Sequence, residues 1–295
     1  MKNIIFRLFN KFGFKIINKN KLKKREINYL SKFDCIKNKS LLNRGLTFVK
    51  KINEFYPDLT IKDHENGCEF SFSNVTIFVE SPEEIFIISE VFVDKDYNFS
   101  INESAVVIDI GANIGISSLF FSTLPFVEKI YSFEPVLDTF KLAQYNFTLN
   151  QKISKVVKLF NIGLGNNDRS EIFIYNKDMK GNTGIRGELS PSYSSKNSYN
   201  TEVQVSICNA SEKITTIYNE NIGKKIIVKM DCEGAEYEIF ENLVSNNCID
   251  KIDIFMIEWH DKGPCQIEKT LQSANFKYFS KCLGLSSGMI YAYKN

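Results

Sequence analysis

The stretch that most clearly indicates chemistry is an apolar segment that ends in an acid and two glycines. Residues 105–110 read AVVIDI, and Gly111-Ala112-Asn113-Ile114-Gly115 follow directly. This order predicts a buried strand, a tight turn and then a helix from about Asn113. In doubly wound sheets, ligands bind at the carboxyl ends of such strands, where helix N-termini present free N–H groups. We therefore predict cofactor contacts from Asp109, Gly111, Ala112, Asn113 and Gly115.

The acid and the glycine spacing indicate which ligand this turn would bind. A dinucleotide site needs G-x-G-x-x-G, whereas this turn is G-x-x-x-G and follows Asp109. A carboxylate there would repel a pyrophosphate but would suit S-adenosylmethionine, which carries an ammonium and a sulfonium group. The pattern therefore favours S-adenosylmethionine over a nicotinamide dinucleotide. The alternative for the glycines alone is a structural role, because tight strand–helix turns use glycine anyway.

A second acid follows the next apolar segment, in Ser132-Phe133-Glu134-Pro135. Glu134 lies 25 residues after Asp109, close to the roughly 20-residue spacing of a carboxylate that accepts the ribose hydroxyls of a nucleotide-like cofactor. Pro135 would end the strand and begin the next helix. We predict that Glu134 and Pro135 contact the cofactor, and the alternative is that Glu134 only caps the following helix.

A lysine and three acids cluster after a further apolar segment, KIIVKM at 225–230. Because strand side chains alternate, Lys229 and Asp231 point to the same side, and a buried lysine needs a partner such as Asp231. Glu233 and Glu236 fall at the start of the next helix, where acids are favoured. The structural alternative is a salt bridge plus helix-start acids. The functional prediction makes Lys229, Asp231 and Glu233 catalytic, and lets Asp231 also contact the cofactor.

The next predicted strand, 253–259, ends in Glu258-Trp259-His260. Neighbouring strand ends face one cleft, so Glu258 and His260 could approach Asp231. His260 would be a natural general base near neutral pH, with Asp231 as the alternative base. A solvated imidazole at a strand end is the competing interpretation. Asp231, Glu258 and His260 are ligand types that suit a divalent ion, but nothing in the sequence requires a metal and none is predicted.

The rhythm of the chain predicts an α/β fold. Apolar segments alternate with amphipathic helical ones from residue 104, which indicates a Rossmann-like, doubly wound and mostly parallel seven-stranded sheet with helices on both faces. Phe70–Val79 predicts a hairpin around Ser73-Asn74, and Ser81-Pro82 predicts a helix start. We predict a basic, helix-leaning arm (1–52), a lead-in with hairpin and helix (53–103), and a cofactor-binding domain (104–295).

A long polar segment interrupts this alternation at 177–201, KDMKGNTGIRGELSPSYSSKNSYNT. It is rich in Gly, Ser and Asn and has neither helical nor strand periodicity. A loop of this length in an α/β domain is usually functional or disordered. We predict an acceptor-binding lid that includes Asn182, with Glu236 and Glu258 as further acceptor contacts.

The motifs in order resemble the FkbM type of class I methyltransferases. The matching stretches, within about 90–260, are VVIDIGANIGISSLFFS, YSFEPV, NIGLGN, VKMDCEGAE and MIEWH. The resemblance implies cofactor binding by the loop from Asp109 to Gly115 and by Glu134, with Asn161 and Gly163 near the adenine. It also strengthens the candidate roles of the acids from Asp231 to Glu236. The implied activity is O-methylation of a hydroxyl on a sugar of a surface glycan or glycolipid precursor, with S-adenosylmethionine as donor.

The charge is distributed unevenly along the chain. Residues 1–51 hold 15 Lys and Arg against two acids, whereas the remainder holds 22 basic and 33 acidic residues. Ile5, Leu8, Phe9, Phe12 and Ile16 follow helical spacing within this basic arm. The pattern predicts a peripheral contact with an anionic membrane surface or a partner protein, and the alternative is a helix that docks on the body of this chain or on a second copy. The acidic remainder makes nucleic-acid binding an unlikely function.

The seven cysteines are widely spaced without a C-x-x-C pair, which fits free thiols in a reducing compartment. We therefore expect a cytoplasmic protein, peripheral at the inner face of the membrane if the arm binds lipid. Two other classes remain as alternatives. One is a nicotinamide-dependent oxidoreductase, against which Asp109 argues, and the other is a non-catalytic module that binds a partner through the arm.

Overall fold

The structure is a computed structural model that describes residues 29–184 and 200–294. Within these residues, helices α1 Lys39–Arg44, α2 Leu46–Phe55 and α3 Pro82–Ile88 precede the main sheet, and α3 continues as a π-helix at Ser89–Asp94. Between α2 and α3 lie the strands β1 Thr60–Asp63, β2 Cys68–Phe72 and β3 Val75–Val79. The first half of the main fold consists of β4 Ala105–Ile110, α4 Ile116–Ser122, β5 Val127–Phe133, α5 Leu137–Leu149, α6 Gln151–Ser154, β6 Val157–Phe160, β7 Gly163–Gly165 and β8 Arg169–Tyr175. After a 3-10 turn at Lys180–Asn182, the second half consists of β9 Thr201–Asn209, α7 Ala210–Glu220, β10 Lys225–Met230, α8 Glu236–Ser245, a 3-10 turn at Ile249–Lys251, β11 Ile254–His260, α9 Cys265–Ser273, β12 Lys277–Cys282 and β13 Ser287–Tyr293.

Seven strands form one sheet in the order β12-β13-β11-β10-β4-β5-β6. Five neighbouring strands of this sheet, β11, β10, β4, β5 and β6, are parallel. Strand β13 runs antiparallel to both β11 and β12. Strand order reverses between β4 and β10, which is the position where ligands bind in doubly wound sheets. The predicted fold, a mostly parallel seven-stranded sheet covered by helices, is confirmed.

Both faces of the sheet are buried. Successive residues of each strand point to opposite faces and pack into two different hydrophobic cores. Val107, Ile227 and Met256 pack with the N-terminal helices, β1–β3 and α4. Their strand neighbours, such as Val106 and Val228, pack with α7, α8 and α9 on the opposite face. The segment 29–103 therefore completes the core of the sheet. The predicted domain boundaries, after residues 52 and 103, stay predictions.

The predicted hairpin and helix start are present in the N-terminal segment. Ser73 and Asn74 both have positive φ, 48° and 67°, which joins β2 to β3 in a tight turn. Ser81 accepts a hydrogen bond from the N–H of Glu84, and the Glu84 carboxylate accepts from the N–H of Ser81. This capping box fixes the start of α3, whereas the π-helix that follows could not be read from the sequence.

A small three-stranded sheet is the main element that sequence analysis missed. Strands β7, β9 and β8 form it, and α7 follows β9. The signal was present in the sequence, because β9 alternates apolar and polar residues from Val203 to Ile207 and β8 ends in the apolar run from Ile172 to Tyr175. The polar segment predicted to span 177–201 ends one residue earlier, because β9 begins at Thr201.

Some predictions concern residues that the structure does not describe. The amphipathic helix expected from Ile5 to Ile16, most of the basic arm and the centre of the polar loop lie outside the described residues. Contact of the arm with a membrane or partner therefore stays a prediction. Within 29–184 and 200–294, no helix has the length and apolar character needed to cross a bilayer.

Asn146 of α5 provides a test of how the N-terminal segment is attached. It is fully buried; its Oδ1 accepts from the N–H of Phe78 at 2.7 Å, and its Nδ2 donates to the carbonyls of Phe78 and Ile114. Asn146→Ala leaves these backbone groups without partners, and each such buried group costs about 1–3 kcal/mol.

We therefore expect urea denaturation of Asn146→Ala to show a free energy of unfolding at least about 2 kcal/mol lower than that of the native chain. Gln144→Ala, at an exposed position of the same helix, is the control and should change stability by less than about 0.5 kcal/mol. Equal stability of the two variants would contradict the role assigned to Asn146.

Candidate active site

A cavity of about 220 Å³ lies at the carboxyl ends of the central parallel strands. The loops after β4, β5 and β10 and the end of β11 all contribute to its wall, and the π-helix and the 3-10 turn at Lys180–Asn182 close it from the opposite side. Because parallel strands end at the same edge of the sheet, residues distant in sequence meet here. This is the position predicted for ligand binding.

The glycine turn after β4 brings two strand-end loops into contact. Gly111 has a φ of 78°, and a Cβ at this position would lie 1.8 Å from the carbonyl oxygen of Asp231. Gly115 also has a positive φ, and a Cβ there would press on the ring of Phe147. Only glycine meets both requirements. The turn leaves Asn113 at the cavity wall with a buried side-chain Oδ1 that has no partner in the described part of the chain.

Behind this turn, a buried ion pair joins β4 to β10. Asp109 and Lys229 are directly paired in the sheet register, and Lys229 Nζ lies 3.3 Å from Asp109 Oδ1. The other oxygen, Oδ2, accepts from the hydroxyls of Ser117 and Ser118 at 2.6 Å each. Lys229 also donates to the carbonyl of Gly111 at 2.7 Å. Burial lowers the pKa of Lys229, but the carboxylate of Asp109 more than offsets it and keeps the ammonium charged.

Glu134 occupies the wall beside the glycine turn. Its Oε2 accepts from the N–H of Asn113 at 3.0 Å and its Oε1 from the N–H of Val136 at 2.9 Å. Burial raises the pKa of this carboxyl to about 7 even though the two N–H bonds oppose the shift. Asn161 donates to the carbonyls of Glu134 and Pro135 and so holds the turn in place.

The opposite end of the cavity is acidic, and one histidine lies beside its carboxyl groups. Nδ1 of His260 lies 3.1 Å from Glu236 Oε1, and Nε2 lies 3.6 Å from Glu233 Oε1 and 3.7 Å from Glu258 Oε1. Burial alone would lower the pKa of His260. The carboxylates of Glu236 and Glu233 outweigh the effect of burial and raise this pKa to about 10. Asp231, which lines the cavity beside Glu258, also contributes to this field.

The π-helix and the segment after it add side chains to the acidic end. The hydroxyl of Tyr97 donates to Asp231 Oδ2 at 3.1 Å. Glu90 lines the cavity, and burial, reinforced by Asp96 and Asp231, raises its pKa to about 8. The pKa of Glu258 is also raised to about 8, by burial and by Asp231. These carboxyls therefore change charge near neutral pH, which ordinary surface acids do not.

The start of the polar loop is anchored to α3. Lys180 is almost completely buried and donates to Glu84 at 2.7 Å and to Glu80 at 3.2 Å. The N–H of Gly181 donates to Glu83, whose pKa burial raises to about 7. The first residues of the loop therefore form a fixed wall of the cavity.

The site thus joins a glycine turn and a nucleotide-type carboxylate to an acidic end. In comparison with known proteins, residues 109–278 match the model of the methyltransferase FkbM domain. The chain belongs to the FkbM methyltransferase family. It is therefore an S-adenosylmethionine-dependent methyltransferase, as the resemblance in the motifs implied.

The individual relatives share less than a third of their aligned residues with this chain. Methyltransferase 1 of Beauveria bassiana is 28% identical over 198 residues, which cover 63% of this chain and 78% of the relative. Methyltransferase sdnD of Sordaria araneosa is 24% identical, with 66% of this chain and 82% of the relative covered. A crystal structure of methyltransferase FkbM from Methylobacillus flagellatus shares 15% identity at a TM-score of 0.46, and covers 70% of this chain and 48% of its own.

The site of this FkbM family member contains most of the residues predicted from sequence. Ten of them line the cavity: Gly111, Ala112, Asn113, Glu134, Pro135, Gly163, Lys229, Asp231, Glu233 and Glu258. Gly115 and Asn161 instead shape the walls from behind. Asn182 belongs to the 3-10 turn whose neighbours Lys180, Gly181 and Thr183 line the cavity.

Three predicted residues have other positions or protonation states than expected. Asp109 does not face a cationic cofactor, because it is fully buried against Lys229 and two serines. Glu236 does not contact an acceptor, because it is buried and accepts from the N–H groups of Cys232 and Gly234. His260, expected to act as a base, is already an imidazolium at neutral pH and cannot take a further proton.

Sequence reasoning missed the cavity residues that come from the N-terminal segment. The sequence analysis predicts no cavity role for Glu83 of α3 or, outside this segment, for Lys180 of the polar loop, although both line the cavity. Glu90 and Tyr97 were not considered, although a single acid inside the apolar run 85–93 was a detectable signal. Such an acid is either solvated or aimed into a site, and here it lines the cavity.

The raised pKa of Glu134 predicts a specific dependence of stability on pH. The folded chain holds this proton up to about pH 7, whereas the unfolded chain releases it near 4.5. Below about pH 4.5 both states are protonated; as the pH rises towards 7 the folded state binds the extra proton and loses stability. The contribution is at most about 1.4 kcal/mol per pH unit.

Between about pH 4.5 and 7, we expect Glu134→Gln to make the slope of the unfolding free energy against pH less negative. The change should correspond to at most one bound proton. Chemical denaturation at a series of pH values measures the slope. Glu212→Gln, an exposed acid in α7, is the control. Identical slopes for Glu134→Gln and the native chain would show that Glu134 titrates normally.

Proposed function

We propose that this protein transfers a methyl group from S-adenosylmethionine to a hydroxyl of a carbohydrate acceptor. The observation that carries the proposal is the single cavity that connects the glycine turn and Glu134 with the acidic end around Asp231 and Glu258. A donor and an acceptor bound at these two ends would meet inside one cavity closed on both sides. The implied setting, a glycan or glycolipid precursor, rests on the family resemblance.

The cofactor end fits S-adenosylmethionine on the features of this structure. Gly111 lacks a Cβ at the wall, and the buried Oδ1 of Asn113 has no hydrogen-bond partner within 29–184 and 200–294. Glu134 places a carboxylate where ribose hydroxyls would donate to it. When bound, the cofactor supplies an electrophilic methyl group on a sulfonium. Gly111, Asn113 and Glu134 would hold it, with Gly163 and Pro135 beside them.

The acceptor end suits a ligand with several hydroxyl groups. Glu83, Glu90, Asp96, Asp231 and Glu258 all line the cavity, and carboxylates accept hydrogen bonds from hydroxyls. The acceptor oxygen must lie within about 3–3.5 Å of the methyl group. Asp231, held by Tyr97 and near Lys229, is placed to orient such a hydroxyl.

Glu90 is the carboxylate best suited to take the proton of the acceptor hydroxyl. Glu258 lies against the imidazolium of His260 and Asp231 near Lys229, whereas Glu90 makes no ion pair among residues 29–184 and 200–294. A general base works best when its pKa is near the operating pH, and that of Glu90 is about 8.

The cofactor assignment is tested by calorimetric titration with S-adenosylhomocysteine. We expect Glu134→Gln to weaken binding about 10-fold to 100-fold, because the charged hydrogen bonds to the ribose are lost. Asp138→Asn, an exposed acid at the start of α5, should bind as the native chain does. No binding by a folded native chain, together with binding of a reduced nicotinamide, would overturn the cofactor assignment.

The acceptor assignment is tested by transfer of a labelled methyl group to a panel of monosaccharides and glycolipids. We expect kcat/KM to rise with pH through about 8, as Glu90 loses its proton. The charged groups that set this value are Asp94, Asp96, Asp231 and Lys51. Glu90→Gln should lower kcat by about 100-fold or more and remove the rise, while S-adenosylhomocysteine still binds. Labelling of amines or thiols but not hydroxyls would contradict the proposal.

A further inference from the structure

We propose that Asp231, Glu258 and His260 form a binding site for a divalent cation at the acceptor end of the cavity. Each residue offers a ligand atom, and these atoms all lie within 4.8 Å of one another. The backbone explains the grouping: Met230 and Ile257 are paired in the register of β10 and β11, so Asp231 and Glu258 follow side by side. Glu258 and His260 are two residues apart, so their side chains share one side of β11.

The orientation of His260 is that of a metal-binding histidine. Metal-ligating histidines donate one ring N–H to a carboxylate and turn the other nitrogen to the ion. Here Nδ1 lies 3.1 Å from Glu236 Oε1, while Nε2 lies 3.6 Å from Glu233 and 3.7 Å from Glu258. A cation bound at Nε2 would replace the proton that the imidazolium carries there, and that proton would pass to solvent. Glu236 is fixed in turn by the N–H groups of Cys232 and Gly234. The ring is therefore held by protein groups outside the proposed ligand set.

The site is open to a ligand and rich in negative charge. Asp231 and Glu258 line the cavity, and the contacts that Asp231 makes with Tyr97 and Lys229 both use Oδ2, which leaves Oδ1 for an ion. Lys229 is the one cation of the lining near Asp231 among the described residues, and its charge is shared with Asp109. Glu233 adds a further carboxylate at 3.6 Å from His260.

The described chain contains a second group of three possible metal ligands, whose atoms already have partners in the protein. Cys35, Asp63 and Cys68 also place ligand atoms close together. Asp63, however, accepts from the N–H groups of residues 36, 37 and 38, and the two thiols contact each other at 3.2 Å. The carboxylate of Asp63 is thus occupied by protein donors, whereas Asp231 and Glu258 line the cavity.

Two carboxylate oxygens and one imidazole nitrogen indicate the type of ion. Carboxylates suit Mg²⁺ and Mn²⁺, and imidazole suits first-row transition metals, so Mn²⁺ satisfies both preferences. No metal is expected from the sequence alone; the grouping of the three side chains leads to the opposite conclusion.

The role of the cation rests on the proposed function. It would bind the acceptor hydroxyl and lower its pKa, and its oxidation state would not change. The O–H bond breaks as the proton passes to Glu90 and then to water, and the S–CH₃ bond breaks as the O–CH₃ bond forms. The products are a methyl ether, S-adenosylhomocysteine and one proton.

The test is an electron paramagnetic resonance titration of the full-length protein with Mn²⁺ alone. We expect one bound ion per chain, with modulation from an imidazole nitrogen. Asp231→Asn and Glu258→Gln should each weaken binding at least about tenfold, and His260→Gln should also remove the nitrogen modulation. Glu83→Gln, which removes a carboxyl from the same cavity wall, is the matched control and should change affinity less than about twofold.

Absence of Mn²⁺ binding by the native chain, or equal weakening by Glu83→Gln, would overturn the proposal. Thermal melts followed by circular dichroism establish that each variant is folded. The Mn²⁺ titration needs neither cofactor nor acceptor, so it can fail while S-adenosylhomocysteine still binds and methyl transfer proceeds. Failure of the cation site and failure of the proposed activity are thus distinguished.

Discussion

The buried pair of Asp109 and Lys229 is the interaction on which the site depends. A charge buried without a partner costs several kcal/mol, so neither residue can be kept without the other. Two serine hydroxyls donate to Oδ2 of Asp109, and Lys229 donates to the Gly111 carbonyl, so each member of the pair also has a hydrogen-bond partner. The pair fixes β4 against β10 where strand order reverses, and therefore sets the separation of the two loops that form the cavity.

From this constraint the rest of the site follows in order. With the loops fixed, Gly111 touches the backbone of Asp231, and the turn delivers Asn113 to Glu134. On the far side of β10, the next strand end delivers Glu258 and His260. The cofactor end and the acidic end are thus rigidly related through one ion pair, which is what an in-line transfer between two bound molecules needs.

The fold and the cofactor end could be predicted from the sequence because their signals are local. The hairpin turn, the capping box, the glycine turn and Glu134 each occupy a few consecutive residues. Sequence predicts Asp231 as a partner of Lys229, and the two lie 3.7 Å apart, but it missed the nearer partner Asp109, which strand register pairs with Lys229 from 120 residues earlier. The charge state of His260 likewise depends on Glu236, which belongs to another element. Glu90 reaches the cavity from a π-helix, and no periodicity in the sequence predicts that helix.

The anchored start of the polar loop has a consequence for how such enzymes diversify. Tyr175 and Thr201 are paired at the ends of β8 and β9, and Lys180 is tied to the buried carboxylate of Glu84 in α3 and to Glu80 just before that helix. The segment between these anchors can therefore lengthen, shorten or change its sequence without displacing the cavity wall or the cofactor end. Under the prediction that this loop binds the acceptor, variation in it would exchange one acceptor for another while the cofactor end stays the same.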